Sequence, residues 1–155
     1  MWQFFTERGK KVIQLAHHEA LRMGHPMVEP EHILLGLIHE GGGTACQAMI
    51  ALGLDLERIK SQIEEAMGQS EPNMKSISPR MKKALELSML EARNMGVNYV
   101  DTEHMLLGIL GDDNSLVSQY FFTMGVDIAA ARRQITAILQ DGEGSPDPKG
   151  QNVEL

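Results

Sequence analysis

The residues best suited to chemistry are polar side chains that occur twice in the chain, 72 positions apart. Each set holds a hydroxyl residue, an arginine two positions later and a glutamate further on: Thr6, Arg8 and Glu31, then Ser78, Arg80 and Glu103. Hydroxyl residues commonly cap helices, and the free N–H groups of a helix N-terminus suit an anion. An arginine adds a bidentate phosphate contact, and a carboxylate suits a guanidinium. The pattern predicts two sites for a ligand with an anionic and a cationic end.

The same residues also fit a purely structural interpretation. Arg8 and Arg80 would then form ordinary ion pairs with Glu31 and Glu103 across a helix junction. Helix caps are duplicated together with the helices they begin, so repetition alone does not separate the two interpretations. Ligand recognition requires these arginine and glutamate side chains to be accessible.

A second repeated pattern is a carboxylate followed three residues later by a histidine. It occurs as Glu29 with His32 and as Asp101 with His104. Such pairs on two helices form part of di-iron sites, which also need carboxylates from two further helices. Glu19 and Glu91 are the only repeated candidates, and both are expected at the surface. We favour helix capping for this pattern and keep a stand-alone metal-binding helical protein as the alternative function.

The sequence contains no recognisable catalytic motif. No GxxxxGK[ST], GxGxxG or GxSxG stretch occurs, and His18-Glu19 lacks the second histidine of a zinc-protease motif. His17, His25 and His39 have no twin at the 72-residue offset and are expected to be solvated. We predict no catalytic residues, no metal and no cofactor, so this chain is not expected to be an enzyme.

These residues lie on a duplicated unit. The 72-residue offset aligns residues 6–67 with 78–139 without a gap, and 19 of the 62 pairs are identical. Units of this size are too small to bury a robust core alone, so we expect them to pack together. The predicted fold is all-α, with two tandem four-helix repeats packed with pseudo-twofold symmetry.

Capping residues and glycines set the predicted boundaries. In the first repeat the helices run from Thr6 to Gly24, from Glu29 to Gly41, from Thr44 to Leu52 and from Asp55 to Gly68. In the second repeat, Ser78 and Asp127 are the corresponding starts of the first and fourth helices. The predicted organisation is repeat 1 over 1–68, a connector over 69–77, repeat 2 over 78–140 and a flexible linker or tail over 141–155. The linker-like composition of the tail suggests that the chain is an excised part of a longer protein.

The composition indicates which partners and which cellular compartment to expect. The net charge of −7 and the isoelectric point of about 5.3 argue against nucleic acid. The longest apolar run, Ile33 to Ile38, is too short to cross a bilayer, and the N-terminus does not resemble a signal peptide. The single cysteine, Cys46, is expected to be a small buried residue in a reducing compartment. We therefore expect a cytoplasmic protein without a membrane partner.

The duplicated motifs resemble a known family. They are Phe5-Thr6-Glu7-Arg8 and Glu31-His32-Ile33-Leu34-Leu35-Gly36, then Ser78-Pro79-Arg80 and Thr102-Glu103-His104. The chain is similar in these residues to the paired Clp N repeats of ClpC-type AAA+ unfoldases, from residue 4 to about 140. Pro30 departs from the threonine usual in the family, which the second copy keeps as Thr102.

The resemblance implies a domain that recruits adaptor proteins and unfolded or tagged substrates to a stress-response chaperone. The full unfoldase would be an ATPase that delivers its substrates to the protease ClpP. In some members this domain binds phosphoarginine. By resemblance, the phosphate would meet Arg8 or Arg80 at a helix start, and the guanidinium would meet Glu31 or Glu103.

Overall fold

The computed structural model describes residues 1–68 and 76–142 of the 155-residue chain. Its first four α-helices are α1 (Glu7–Arg22), α2 (Pro30–Glu40), α3 (Thr44–Ala51) and α4 (Leu56–Met67). Its last four are α5 (Pro79–Asn94), α6 (Thr102–Leu110), α7 (Leu116–Thr123) and α8 (Ile128–Gln140). A short 3-10 helix, Trp2–Phe4, and two strands, β1 (Met27–Val28) and β2 (Ser76–Ile77), complete the described elements. The all-α prediction is confirmed.

The predicted capping residues begin the helices. The hydroxyls of Thr6 and Ser78 accept hydrogen bonds from the backbone N–H three residues on, at 2.9 and 3.0 Å. The carboxylates of Asp55 and Asp127 do the same for α4 and α8, at 3.2 and 2.8 Å. Each cap satisfies a backbone donor that has no partner inside the helix. Most of the predicted connector and nearly all of the predicted tail lie outside the described residues.

A repeated glycine lets two helices cross closely in each half. A Cβ atom added to Gly36 would lie 2.7 Å from the carbonyl oxygen of Val12 on α1. A Cβ atom added to Gly108 would lie 2.4 Å from the carbonyl oxygen of Ala84 on α5. The Leu-Leu-Gly motif is therefore explained by packing: the leucines are buried, and the glycine removes the side chain that would keep the helices apart.

The two repeats exchange extended segments. Val28 of β1 pairs with Ile77 of β2, and the two strands are parallel. Phe5 forms a parallel bridge with Val100. Because the 72-residue offset relates Phe5 to Ile77 and Val28 to Val100, the two pairings are the same interaction seen from each repeat. The predicted pseudo-twofold packing is confirmed.

The centre of the molecule is formed by α2 and α6, which contact each other and lie deepest in the core. Every residue of α6 is buried, as are Pro30 to Leu37 of α2. Helix α3 packs against α6 and α8, which joins the halves further. Glu31 and Glu103 lie in the first turns of these two central helices, so the core fixes their positions.

Two smaller expectations concern apolar segments. Cys46 is 2% exposed, its Sγ donates to the carbonyl of Leu37 at 3.0 Å, and burial raises the pKa of its thiol to about 11. The thiol is thus the inert core residue expected. Within residues 1–68 and 76–142, none of the helices combines the length and apolar character needed to cross a membrane.

Candidate functional site

The repeated polar residues lie in two clusters, each built from both repeats. Cluster 1 joins the start of α1 to the start of α6 and contains Thr6, Arg8, Glu40, Asp101 and Glu103. Cluster 2 joins the start of α5 to the start of α2 and contains Ser78, Arg80, Glu29, Glu31 and Asp112. The exchanged segments bring these helix starts together, because each strand pairing lies immediately before them.

In cluster 2, one arginine meets three carboxylates. Arg80 Nη2 lies 2.9 Å from Glu31 Oε2, and Nη1 lies 3.4 Å from Oε1 of the same carboxylate. Glu29 and Asp112 approach the guanidinium at 3.7 and 3.5 Å. The backbone N–H of Leu116 donates to Glu31 Oε2 at 3.2 Å. The hydrogen bond to Glu31 raises the pKa of Arg80 above its usual range, so the guanidinium stays charged.

A cavity of about 370 Å³ opens beside this ion pair. Its polar lining comes from His25, Glu29, Glu31, Arg80 and Asn114, and its apolar lining includes Met27, Met67 and Leu116. A space of this size takes a single long side chain together with its backbone. Cluster 2 therefore combines a charged recognition group with room for a ligand.

In cluster 1 the charges are arranged differently. Thr6 Oγ1 donates to Asp101 Oδ1 at 3.0 Å, and Arg8 Nε donates to Glu40 Oε2 at 3.1 Å. Glu103 Oε1 is buried without a hydrogen-bond partner. Burial and the charge of Asp101 raise the pKa of Glu103 to about 7, although Arg8 acts in the opposite direction. The pKa of the buried Glu103 carboxyl is thus raised, so it holds its proton more tightly than an exposed glutamate does.

The glutamates and arginines of the two clusters differ in exposure. Glu31 and Glu103 are 1% and 4% exposed, whereas the side chains of Arg8 and Arg80 are 22% and 43% exposed. The accessibility expected for recognition is found at the two arginines, whereas the expectation is wrong for Glu31 and Glu103, which are buried.

The sequence pattern did not show that each cluster combines the two repeats. The ion pair between Arg80 and Glu31 joins the second repeat to the first. Glu40 and Asp112 were missed, although they are related by the 72-residue offset. Each also accepts a hydrogen bond from the backbone N–H two residues later, at 2.9 Å. A search for aligned acidic residues would have found them.

The repeated carboxylate and histidine motifs form capping boxes. The backbone N–H of Glu29 donates to His32 Nδ1 at 2.8 Å, and that of Asp101 donates to His104 Nδ1 at 2.9 Å. These nitrogens are therefore occupied, and burial lowers the pKa of both histidines to about 4. Glu19 is buried rather than at the surface and pairs with an arginine. No group of three or more potential metal ligands occurs among the described residues.

The prediction of a solvated His25 is wrong. His25 is 7% exposed, its Nδ1 lies 2.7 Å from His32 Nε2, and its Nε2 contacts the carbonyl oxygen of Gly68. Because Glu29 N–H donates to His32 Nδ1, His32 donates from Nε2 to His25, which in turn donates to Gly68. This chain of hydrogen bonds, the histidine relay, ties the start of α2 to the end of α4. Val97 occupies the twin position of His25.

Comparison with known proteins identifies the family of this chain. The Clp repeat (R) N-terminal domain matches residues 4–123 and, in a second alignment, residues 76–155. The chain belongs to this family. It is 42% identical over 154 residues to the negative regulator of genetic competence ClpC/MecB of Bacillus subtilis (strain 168), and 39% identical over 154 residues to the chaperone protein ClpB of Oceanobacillus iheyensis. Each alignment covers 98% of this chain but 19% of the relative.

Solved structures share the fold at low sequence identity. The Hsp104 N-terminal domain from Candida albicans superposes with a TM-score of 0.74 at 17% identity, covering 97% of this chain and 99% of the other. The ClpV N-domain in complex with a VipB peptide superposes with a TM-score of 0.75 at 17% identity, covering 89% and 88%. These similarities agree with the paired helical repeats described above.

Proposed function

We propose that this domain recognises adaptor proteins and unfolded or tagged substrates for a ClpC-type ATP-dependent unfoldase. The observation that carries the proposal is the pair of arginine and glutamate clusters at the repeat junction, one of them beside an open cavity. The ClpV N-domain solved with a VipB peptide supports peptide binding by a domain of this fold. The ATPase activity, the delivery of substrates to ClpP and the cytoplasmic location of the whole protein belong to the same proposal.

Phosphoarginine is the tag that fits the clusters best. Its guanidinium matches the planar carboxylate of Glu31 or Glu103, and its phosphate matches the partly exposed guanidinium of Arg80 or Arg8. The nearby helix starts add a partial positive charge on the side of the phosphate. A ligand with only one of these charges pairs with either the glutamate or the arginine of a cluster, but not with both.

Two clusters in one domain make weak binding useful. Each cluster offers only a few contacts to a single side chain, so we expect modest affinity for a free amino acid. A substrate with two tags engages both clusters, and the second contact is then intramolecular. Several domains on one unfoldase would strengthen the effect further. The proposed function therefore favours multiply tagged chains over singly tagged ones.

Isothermal titration calorimetry with phosphoarginine and with arginine tests the proposal. Phosphoarginine is expected to bind more tightly, and the double variant Glu31→Ala with Glu103→Ala is expected to abolish its binding. The double variant Glu57→Ala with Glu65→Ala is the matched control, since it removes two exposed glutamates of α4. Equal affinity for both ligands, or no binding of either, would remove the phosphoarginine assignment.

A further inference from the structure

We propose that Arg80 acts as an internal competitor in cluster 2. An incoming guanidinium replaces Arg80 on Glu31, and the displaced Arg80 turns to the anionic group of the same ligand. Arg80 is then a specificity-determining residue that favours ligands carrying both charges over simple cations. This inference rests on the proposed function and names the selectivity of one of its two sites.

The first support is the occupancy of Glu31. Arg80 covers both oxygens of this carboxylate, at 2.9 and 3.4 Å, and the N–H of Leu116 takes a further position on Oε2. A planar guanidinium binds a carboxylate through two parallel hydrogen bonds, so a second one cannot form the same pair beside the first. A ligand in the cavity therefore forms a bidentate pair with Glu31 only by exchange with Arg80.

The second support is the difference in burial between the two partners. Arg80 has 43% of its side chain exposed, whereas that of Glu31 is 2% exposed. Arg80 is able to turn away and stay beside Glu29 and Asp112, which lie 3.7 and 3.5 Å from it. Glu31 needs a cationic partner, because an unpaired buried charge is strongly destabilising. The cation that leaves must therefore be replaced by another cation.

The third support is the charge balance of the exchanged state. A simple cation on Glu31 would place its positive charge next to the displaced guanidinium of Arg80, and like charges at this distance repel. A ligand whose guanidinium carries a phosphate gives Arg80 a new partner and removes that repulsion. Exchange is thus favourable for phosphoarginine and much less so for arginine.

Cluster 1 provides an internal reference for this selectivity. One oxygen of Glu103 has no hydrogen-bond partner, so a cation gains a contact there without displacing an existing one. We expect cluster 1 to distinguish phosphoarginine from arginine less strongly than cluster 2. Glu103→Gln disables cluster 1, so that cluster 2 can be measured alone.

The experiment is calorimetry of both ligands on Glu103→Gln and on Glu103→Gln with Arg80→Ala. Without Arg80, the affinity for phosphoarginine should fall about tenfold or more because a charge-assisted phosphate contact is lost. The affinity for arginine should rise, because its competitor is gone. The ratio of the two affinities therefore collapses. Arg80→Lys keeps a positive charge beside Glu31 but loses the paired N–H donors of the guanidinium. Its ratio of affinities should lie between those of Glu103→Gln and of Glu103→Gln with Arg80→Ala.

Two controls keep the result interpretable. Near-ultraviolet circular dichroism shows whether each variant keeps its packing, and Arg80→Lys decides the question if Arg80→Ala does not fold. In 1H–15N spectra, the Arg80 Nε–H signal should shift on addition of phosphoarginine and much less on addition of arginine. Equal losses for both ligands, or unchanged affinities, would overturn the exchange and leave the proposed function standing. Absence of any binding by the wild-type chain would remove both the exchange and the phosphoarginine assignment.

Discussion

Clusters 1 and 2 contain the same residue types at the same offset, yet their buried glutamates are held in different ways. Glu31 has hydrogen bonds on both oxygens, from Arg80 and from the N–H of Leu116. Glu103 has one buried oxygen without a partner, and its pKa is raised to about 7. The duplicated sequence preserves where the charges lie but does not determine how they are paired. Similar motifs therefore do not imply equal sites.

The difference comes from the residues behind the clusters. Thr102 begins α6 and accepts a hydrogen bond from the N–H of Ala45 at 3.2 Å, whereas its twin, Pro30, has no hydroxyl to offer. The histidine relay supports the start of α2, while Val97 takes the place of His25 in the other half. Each cluster thus has its own supporting contacts. Substitutions of these supporting residues should affect the two clusters differently.

The largest effect is expected from the glycines at the helix crossings. Gly108→Ala should destabilise the fold by about 3 kcal/mol, because the new Cβ meets backbone that cannot move aside. Gly36→Ala should cost less, about 2 kcal/mol, because its nearest backbone contact is longer, 2.7 Å against 2.4 Å. Urea unfolding measures both, with the exposed Ser61→Ala as the control. Equal losses would show that the two crossings do not differ.

A somewhat smaller loss is expected when the histidine relay is cut. His25→Val introduces the residue found at the twin position and leaves the buried His32 Nε2–H without a partner. Burying such groups unpaired costs about 2 kcal/mol. Thermal unfolding should show the loss for His25→Val but not for the exposed His18→Ala. If His25→Val is as stable as the wild type, the relay does not support cluster 2.

The glutamates should respond with opposite signs. Glu31→Gln weakens the ion pair with Arg80 and should cost about 1 to 2 kcal/mol, less than a fully buried pair because Arg80 is partly exposed. Glu103→Gln removes a buried carboxylate that has one oxygen without a hydrogen-bond partner. At pH 8 this substitution should leave the stability unchanged or increase it by about 1 kcal/mol. Chemical denaturation at pH 8 compares the two. A similar loss in both variants would show that the clusters are equivalent.

The smallest effect is a change with pH. The native pKa of Glu103, about 7, lies above its ordinary value of 4.5, so the native state holds the proton more tightly. The contribution of Glu103 to the free energy of unfolding is thus fully present below about pH 4.5 and is lost as the pH rises through 7. The stability of Glu103→Gln relative to the wild type should therefore rise by about 1 kcal/mol between about pH 6.3 and pH 8. A constant difference across this range would contradict the raised pKa.

The buried histidines change stability in the other direction and cancel in that comparison. His32 and His104 have native pKa values of about 4, below the ordinary value of 6.5. The unfolded state takes up protons first as the pH falls, so both residues reduce stability between about pH 6.5 and 4. The wild type and Glu103→Gln share this effect.

Local signals were sufficient for much of the fold. Thr6, Ser78, Asp55 and Asp127 marked helix starts because a cap depends on residues within one turn. The 72-residue offset predicted the symmetric packing because two small units must share a core. The pairing of Arg80 with Glu31, by contrast, depends on strands exchanged between the halves, which no local pattern encodes. His25 was misassigned for the same reason, since its partner Gly68 lies 43 residues away.

The bridge between Phe5 and Val100 has a consequence for synthesis. A chain leaving the ribosome presents residue 5 long before residue 100, so the first repeat lacks one of its own backbone partners until most of the second has been made. Contacts so distant in sequence slow folding because a long loop must close first. The N-terminal half should remain accessible to chaperones and proteases during translation. It completes its folding only after the second repeat has been synthesised.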